Sequence, residues 1–306
     1  MWHKSKSNTA KFGQSVRNKT RSIVPLVSII VPCFNSGLAL KNAINSCKLQ
    51  TYPRIETIVV NDGSNDLITL KVLKSLTRSG TQVINLERNS GLPVARNTGF
   101  DAAKGEYVVF LDSDDWFEET AIEIMINASI GMEGKCFIYS DVIFEGEKNG
   151  ISCRPYNAFS HLALNNFPYS IMIQKESIDW SPLYDEDLKF GLEDWNLNLK
   201  LIEKRFQPVR LNKPIFHYNI NSSGMLESIT KHNFFSIWKI IQKKRKTLYS
   251  RQMMWKLFKL QTLRNRNFQV IIPLILILLS KLPFNGFLDK LFFKINRILN
   301  FSRRLP

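Results

Sequence analysis

The chain has 306 residues, 44% of them hydrophobic and 22% charged, with 42 Lys and Arg against 26 Asp and Glu. That length can bury a full core, and the apolar content excludes a disordered chain. Its four cysteines, Cys33, Cys47, Cys136 and Cys153, have neither C-x-x-C spacing nor a dense framework, so the expectation is reduced, structural thiols in a cytosol-facing protein without a zinc site.

The net charge of +16 is unevenly spread. Residues 1–22 hold six Lys and Arg and no acid, residues 231–306 hold seventeen against the single acid Asp289, and the stretch between is left at −6. An acidic body with two basic ends is not a uniformly basic nucleic-acid binder; it suggests that the termini meet an anionic surface. Residues 1–22 lack an apolar run and read as a mobile arm rather than a secretory signal.

From Val27 the chain alternates. Val27–Val31, Ile55–Val60, Thr81–Leu86 and Tyr107–Leu111 read as strands; 38–49, 66–78, 93–104 and 118–130 read as helices. Short strands alternating with longer helices predict an α/β protein with a mostly parallel sheet covered on both faces, and such sheets bind ligands outside the carboxyl ends of their strands. After residue 131 the alternation loosens: Phe137–Phe144 and Ile171–Ile173 are strand-like, 151–168 is irregular, and a helix runs from about Glu193 to Lys204.

Polar clusters fall at the predicted strand ends. Pro32-Cys33-Phe34-Asn35 follows the first strand, Asn61-Asp62-Gly63-Ser64-Asn65-Asp66 the second, and Asp112-Ser113-Asp114-Asp115 the fourth. Aspartates crowded at the end of a buried strand repel one another unless a cation sits among them, and a divalent ion carrying a diphosphate suits hard oxygen ligands. Asp62 suits a base N–H, Asp112 ribose hydroxyls and Asp114 the metal. Each cluster also suits an ordinary turn that caps the next helix. Between the third and fourth strands, Asn89-Ser90-Gly91-Leu92-Pro93-Val94-Ala95-Arg96-Asn97-Thr98-Gly99 places Pro93 in a first helical turn and Arg96 on that helix, either within reach of a nucleotide or as a solvated surface side chain.

Residues 27–116 resemble the nucleotide-binding half of a family 2 glycosyltransferase with the GT-A fold. The matching segments are Val-Ser-Ile-Ile-Val-Pro-Cys-Phe-Asn, Val-Asn-Asp-Gly-Ser, Asn-Ser-Gly-Leu-Pro-Val-Ala-Arg-Asn-Thr-Gly and Phe-Leu-Asp-Ser-Asp-Asp-Trp. The resemblance implies an inverting enzyme using a nucleotide-sugar donor, a UDP-sugar, with Mn²⁺ or Mg²⁺. It makes Asp112–Asp114 the D-x-D motif, with Asp112 and Asp114 on the metal and Ser113 and Arg96 beside the donor. Pro32, Phe34, Asn35 and Asp62 would line the base and ribose pocket.

Asp185-Glu186 and Gly191-Leu192-Glu193-Asp194-Trp195 resemble the family's acceptor region and its E-D motif, which assigns Asp194 as general base with Glu193 beside it. Acids there also favour a helix N-terminus without any chemistry. Two departures stand out. Asp179-Trp180-Ser181-Pro182-Leu183-Tyr184 replaces the family's Gly-Gly-Phe stretch, and His217-Tyr218-Asn219-Ile220-Asn221 replaces a Tyr-Arg-x-His motif, removing an Arg expected near the diphosphate. His217 reads as a packed side chain rather than a ligand.

The expected organisation is a basic arm at 1–22, a GT-A domain at 23–230 (nucleotide-binding half 27–131, acceptor half 132–230) and a helical, basic tail at 231–306. Ten apolar residues, Val270–Leu279, span about 15 Å as a helix, half of a hydrocarbon core of about 30 Å. With Leu288, Leu291, Phe292, Ile295, Ile298 and Leu299 recurring further on among Lys290, Lys294 and Arg297, they fit an in-plane helix on an anionic leaflet, or a helix packed on the protein's own core. The expectation is therefore a peripheral protein on the inner face of the membrane, acting on a saccharide or lipid-linked acceptor, with no nucleic-acid partner. A non-catalytic nucleotide-sugar scaffold is the alternative, and a nucleotidyltransferase ranks below it.

Overall fold

The computed structural model describes residues 24–132, 134–147, 149–153, 155–221, 231–264 and 271–279. The arm at 1–22 and the apolar positions beyond 279 lie outside these described residues.

The first half alternates as its sequence predicts: β1 (Val27–Cys33), α1 (Ala39–Lys48), β2 (Ile55–Asn61), α2 (Leu67–Arg78), β3 (Gln82–Asn85), α3 (Leu92–Ala102) and β4 (Tyr107–Phe110). The strands pair in parallel in the order β3-β2-β1-β4. Every residue of β1 is buried, as a central strand covered on both faces requires. In α1 the buried positions Leu40, Ala43, Ile44 and Cys47 form one helical stripe, and α2 starts where Asp66 accepts from the Ile68 and Thr69 amides at 3.1 and 2.8 Å. Helix α3 lies so close to the sheet that a Cβ on Gly99 would overlap Ile30 Cγ2. This contact brings the residues before Gly99 down onto the strand ends.

The second half contains β5 (Trp116–Phe117), α4 (Ala121–Ser129), β6 (Cys136–Gly146), β7 (Gly150–Ser152), α5 (Ala158–His161), β8 (Ile171–Gln174), α6 (Glu193–Glu203) and β9 (Gln207–Ile220). Parallel pairing is confined to the first half and to β6 with β9. Strand β8 runs antiparallel to both β4 and β6, β5 antiparallel to β9, and β7 antiparallel to β6. The span 151–168, irregular by sequence, holds part of β7 and the short α5.

The sheet order continues β4-β8-β6-β9-β5. In a flat sheet β4 and β5 would stand about 19 Å apart. The connection from Phe110 to Trp116 reaches roughly 20 Å only when fully extended, and it is not extended, because the Asp115 amide bonds back to the Asp112 carbonyl at 3.1 Å. The sheet therefore curls, and the aspartate turn sits inside the curl.

Three further helices follow: α7 (Lys231–Lys244), α8 (Arg251–Arg264) and α9 (Ile271–Leu279). The first packs on the body rather than standing apart. Phe234, Phe235, Ile237, Trp238 and Ile241 join Trp195 and Leu199 of α6 and Phe159 of α5 in a second core, where Trp238 stacks on Trp195 at 6.1 Å. The Trp238 indole donates to the Leu162 carbonyl at 3.2 Å. In α9, Pro273, Leu276 and Ile277 are buried, while Leu274, Ile275 and Leu278 are exposed. No helix among the described residues is long and apolar enough to cross a membrane.

Candidate active site

The turn after β4 alternates in burial: Asp112 and Asp114 are partly exposed, while Ser113 and Asp115 are buried. The inward residues hold the turn. Ser113 shares a 2.6 Å hydrogen bond with Ser36 of the β1–α1 loop. Asp115 accepts from the Tyr169 hydroxyl at 2.5 Å and from the Asn219 amide at 2.8 Å. Tyr169 in turn accepts from the Asp112 amide at 2.8 Å, so one buried phenol joins both ends of the turn. Burial, with Asp114 and Asp112 close by, pushes the Asp115 carboxyl well up. Ser113 thus braces the loop, where the sequence suggests a donor contact.

The outward pair faces a different environment. Asp112 takes a charge-assisted bond from Arg96. Asp114 takes a 3.3 Å bond from the Asn221 amide, and its carboxyl is pushed up to about 6 by burial and by the negative charge of Asp112. A hard-oxygen pair short of positive charge fits a divalent cation. Among the described residues no cluster of three or more His, Cys, Asp or Glu is placed to hold an ion, so such a cation would need further oxygens from the substrate.

Arg96 is not the solvated side chain that one sequence reading allows. It is 1% exposed, with Tyr169 and Tyr184 rings 5.0 and 5.3 Å from its guanidinium carbon. Its Nη2 donates to Asp112 and its Nη1 to Glu193, both at 2.7 Å. These carboxylates raise the Arg96 pKa against the opposing effect of burial. Arg96 is therefore buried and ties the aspartate turn, at Asp112, to the start of α6.

That start is shaped by two consecutive positive-φ residues, Gly191 (φ 112°) and Leu192 (φ 61°). A left-handed leucine is uncommon, and the strain is held by the burial of Leu192 in the second core. Glu193 is buried, and its carboxyl is pushed up to about 7 by burial against the pull of Arg96. Asp194 is partly exposed and accepts from the Asn165 amide at 2.8 Å. Burial raises its pKa despite Arg96, with Asp112 adding to the rise. The sequence treats Glu193 and Asp194 as a pair; the fold separates them into a buried ion-pair partner of Arg96 and a partly exposed carboxyl bonded to Asn165.

In the β1–α1 region, Pro32, the next-to-last residue of β1, is buried, and Phe34 is 44% exposed. Asn35, at φ 51°, accepts from the Asn65 and Asp66 amides at 2.9 and 3.2 Å and locks the first two loops together. Asp62 is 4% exposed and accepts from the Ser90 and Gly91 amides at 2.7 and 2.9 Å, which sets the entry to α3. His217 is packed as the sequence suggests, stacked on Trp116 at 5.1 Å with Glu145 and Glu118 each 2.7 Å from a ring nitrogen.

Several residues here carry no signal in the sequence. Tyr169 lies just past a span without periodicity. Asn97 sits within the Ala-Arg-Asn-Thr-Gly segment but gains its role only from contacts: it donates to the Tyr184 carbonyl and to Glu186, each at 3.0 Å, and accepts from the Tyr184 amide at 2.8 Å.

Comparison with known proteins agrees with this architecture. Residues 28–152 match the model of glycosyl transferase family 2, and this segment is a family 2 glycosyltransferase domain on the GT-A fold. Over this segment the chain is similar to glycosyltransferases. Over 137 residues it is 39% identical to the poly(ribitol-phosphate) beta-N-acetylglucosaminyltransferase TarP of Staphylococcus aureus, covering 39% of this chain and 41% of TarP. The structure of S. aureus TarS 1-349 in complex with UDP-GlcNAc superposes with a TM-score of 0.56 at 19% identity, over 71% of this chain and 65% of that one. The mannosyltransferase PcManGT of Pyrobaculum calidifontis, in complex with GDP-Man and Mn²⁺, superposes with a TM-score of 0.54 at 14% identity, over 91% of this chain and 88% of that one. The chain spans from about a third to just under two thirds of the length of the first curated relatives it matches.

Proposed function

We propose that this chain is an inverting glycosyltransferase that moves a sugar from a nucleotide-sugar, a UDP-sugar, to a hydroxyl of a saccharide or lipid-linked acceptor in the building of a polysaccharide. The observation that carries this reading is the Arg96 bridge, with Asp112 and Glu193 each 2.7 Å from one guanidinium. It joins the aspartate turn, suited to a cation that carries a diphosphate, to the helix start that carries the partly exposed Asp194 carboxyl.

Asp194 is the general base. It takes the proton of the acceptor hydroxyl as the acceptor oxygen attacks the anomeric carbon, and the bond to the diphosphate breaks on the opposite face with its electron pair leaving on phosphate. Inversion follows from that single displacement. A carboxyl raised above its ordinary range by burial is the better base near neutral pH. Asp112 and Asp114 are the residues that would hold Mn²⁺ or Mg²⁺, which would supply charge neutralisation to the departing diphosphate. Pro32, Phe34, Asn35 and Asp62 shape the nucleoside side, with the Phe34 ring exposed beside it. TarS and PcManGT, solved with UDP-GlcNAc and with GDP-Man and Mn²⁺, support a nucleotide-sugar donor and a metal.

The same reading places the chain on an anionic membrane surface. Its support is the +16 charge of residues 231–306 and the exposed face of α9 formed by Leu274, Ile275 and Leu278. The test of the donor assignment is a panel of UDP- and GDP-sugars screened for Mn²⁺-dependent protection against thermal unfolding. A rise in Tm with one nucleotide class, lost with EDTA, is expected; no rise with any member would reject the reading.

A further inference from the structure

The loop between Tyr184 and Glu193 is clamped from two sides, and one clamp comes from a helix outside the segment that matches the family. On the first side Asn97, next to Arg96 on α3, bonds Tyr184 and Glu186. On the second, Arg245, at the end of α7 and 8% exposed, donates from Nη2 to Asp185 at 2.9 Å and from Nε to Asn196 of α6 at 3.0 Å, with Glu203 3.5 Å from Nη1. Asn196 closes the ring by donating to the same Asp185 oxygen at 2.9 Å. Lys244 lies 2.9 Å from Asp187 and 3.6 Å from Asp185, and Lys200 lies 3.7 Å from Asp185. Burial alone would push Asp185 up; Asn196, Arg245, Lys200 and Lys244 together hold it below the usual carboxylate range.

We propose that Arg245 is a positioning residue for the acceptor side of the site: from the end of α7 it fixes Asp185, and through the loop that follows it fixes the orientation of Asp194 at the start of α6. The geometry favours this over a packing role. The guanidinium makes directed bonds to a loop carboxylate and to a side chain on the same helix as Asp194, so it sets loop against helix. Between them, Gly191 and Leu192 hold positive-φ conformations that a loosened loop would release. The donor side, built on β1, β2 and β4, receives none of the Arg245 bonds described above. The inference rests on the acceptor reading of Asp185–Asp194 given above.

The test compares the full chain with Arg245→Ala and Arg245→Lys by hydrogen–deuterium exchange, and by UDP binding in the presence of Mn²⁺. In Arg245→Ala, exchange should rise about ten-fold or more in peptides covering 183–194 and stay unchanged in β1, β2 and β4. The Kd for UDP with Mn²⁺ should stay within about two-fold. Arg245→Lys keeps a cation for Asp185 but loses the bond to Asn196, and should fall between the two. UDP release from UDP-GlcNAc, measured with and without p-nitrophenyl β-glycosides, adds a kinetic readout: any glycoside-stimulated release should show kcat/KM lowered about five-fold or more in Arg245→Ala. Unchanged exchange in 183–194, an equal rise throughout the chain, or a lysine variant no better than alanine would overturn the proposal. If the unaltered chain fails to bind UDP with Mn²⁺, the donor reading fails, while the exchange comparison still decides the role of Arg245.

Discussion

Asp112 and Glu193 share one cation: Arg96 donates Nη2–H to the first and Nη1–H to the second at 2.7 Å, from a position 1% exposed to solvent. A guanidinium can hold two carboxylates at a fixed angle because it is planar and forked; an ammonium is a single point on a flexible stem. Arg96→Lys should therefore fold but lose turnover by about 10²-fold, the scale of a displacement near 1 Å at a reacting centre. Arg96→Ala leaves a buried carboxylate without its counter-charge and should cost about 3–5 kcal/mol of stability. Urea unfolding of both variants, beside donor turnover, separates the two effects.

Asp194→Asn tests the base. The amide keeps the shape and cannot take a proton, so transfer should fall by about 10²–10⁴-fold while UDP and Mn²⁺ still bind. The pH profile carries a second signature. Burial raises the Asp194 carboxyl, so the active, ionised form is lost as pH falls through a pKa above the ordinary carboxylate range. The acid limb of kcat/KM should accordingly lie above that range and vanish in the variant's residual activity.

Tyr169 is expected to matter more than its unremarkable sequence context suggests. Tyr169→Phe deprives the Asp112 amide of an acceptor and the buried Asp115 of a donor. Losing a partner of a buried polar group costs about 1–3 kcal/mol, so Tm should fall by several degrees and UDP–Mn²⁺ affinity should weaken with it. Tyr184→Phe is the control. That hydroxyl is buried with no hydrogen-bond partner among the described residues, so its removal should be neutral or stabilising.

These cases show what is legible in a sequence of this kind. The strands and helices up to β4 follow from β-branched runs alternating with apolar stripes, and their ends fall within a few residues of expectation. Strand β9 escapes, because Pro208, Asn212, Lys213 and Pro214 break its alternation, and its pairing comes from the long partner β6 across a bulge between Ser140 and Val142. Aspartates and the E-D pair are visible as residue types at strand and helix ends. The role of Arg96 is not, because it depends on the curl of the sheet and on α3 approaching closely at Gly99. Asn97, Tyr169 and Arg245 are of the same kind: each acts through a partner distant in the chain.

His161 gives a prediction about stability alone. It is 1% exposed, accepts at Nδ1 from the Asn166 amide at 3.1 Å, and lies 4.6 Å from the Phe167 ring. Burial pushes its pKa down from 6.5 to about 3. A base whose folded pKa is depressed binds its proton more readily in the unfolded chain, so the stability it contributes is complete above pH 6.5 and is lost as pH falls toward 3. The slope is about 1.4 kcal/mol per pH unit. Raised carboxyls such as Asp114 act with the opposite sign, so the comparison must be with His161→Asn, whose side-chain oxygen can replace Nδ1. The variant should be less stable at pH 7 and should lose less stability on going from pH 6.5 to 5, by about 2 kcal/mol in urea titrations.

The surface of α9 supplies the last prediction. Leu274, Ile275 and Leu278 are 36%, 48% and 56% exposed, at spacings that put them on one helical face. Trp255 and Leu260 of α8 are 58% and 54% exposed, and Lys259 lies 5.4 Å from the Trp255 ring. Nine residues of α9 extend about 14 Å, enough to lie along a leaflet and too little to cross it. Binding of this kind adds buried apolar area to attraction between Lys and Arg and anionic headgroups, the latter worth about 1 kcal/mol for each cation near the surface. In flotation with vesicles, the chain should bind phosphatidylglycerol-containing bilayers, lose binding on pure phosphatidylcholine, and weaken at high salt. The triple change Leu274→Ser, Ile275→Ser and Leu278→Ser should reduce binding while leaving UDP–Mn²⁺ protection intact, because none of the three reaches the core that holds α7 against α6. Equal binding to neutral and anionic vesicles, or binding indifferent to the triple change, would rule out this face as the point of contact.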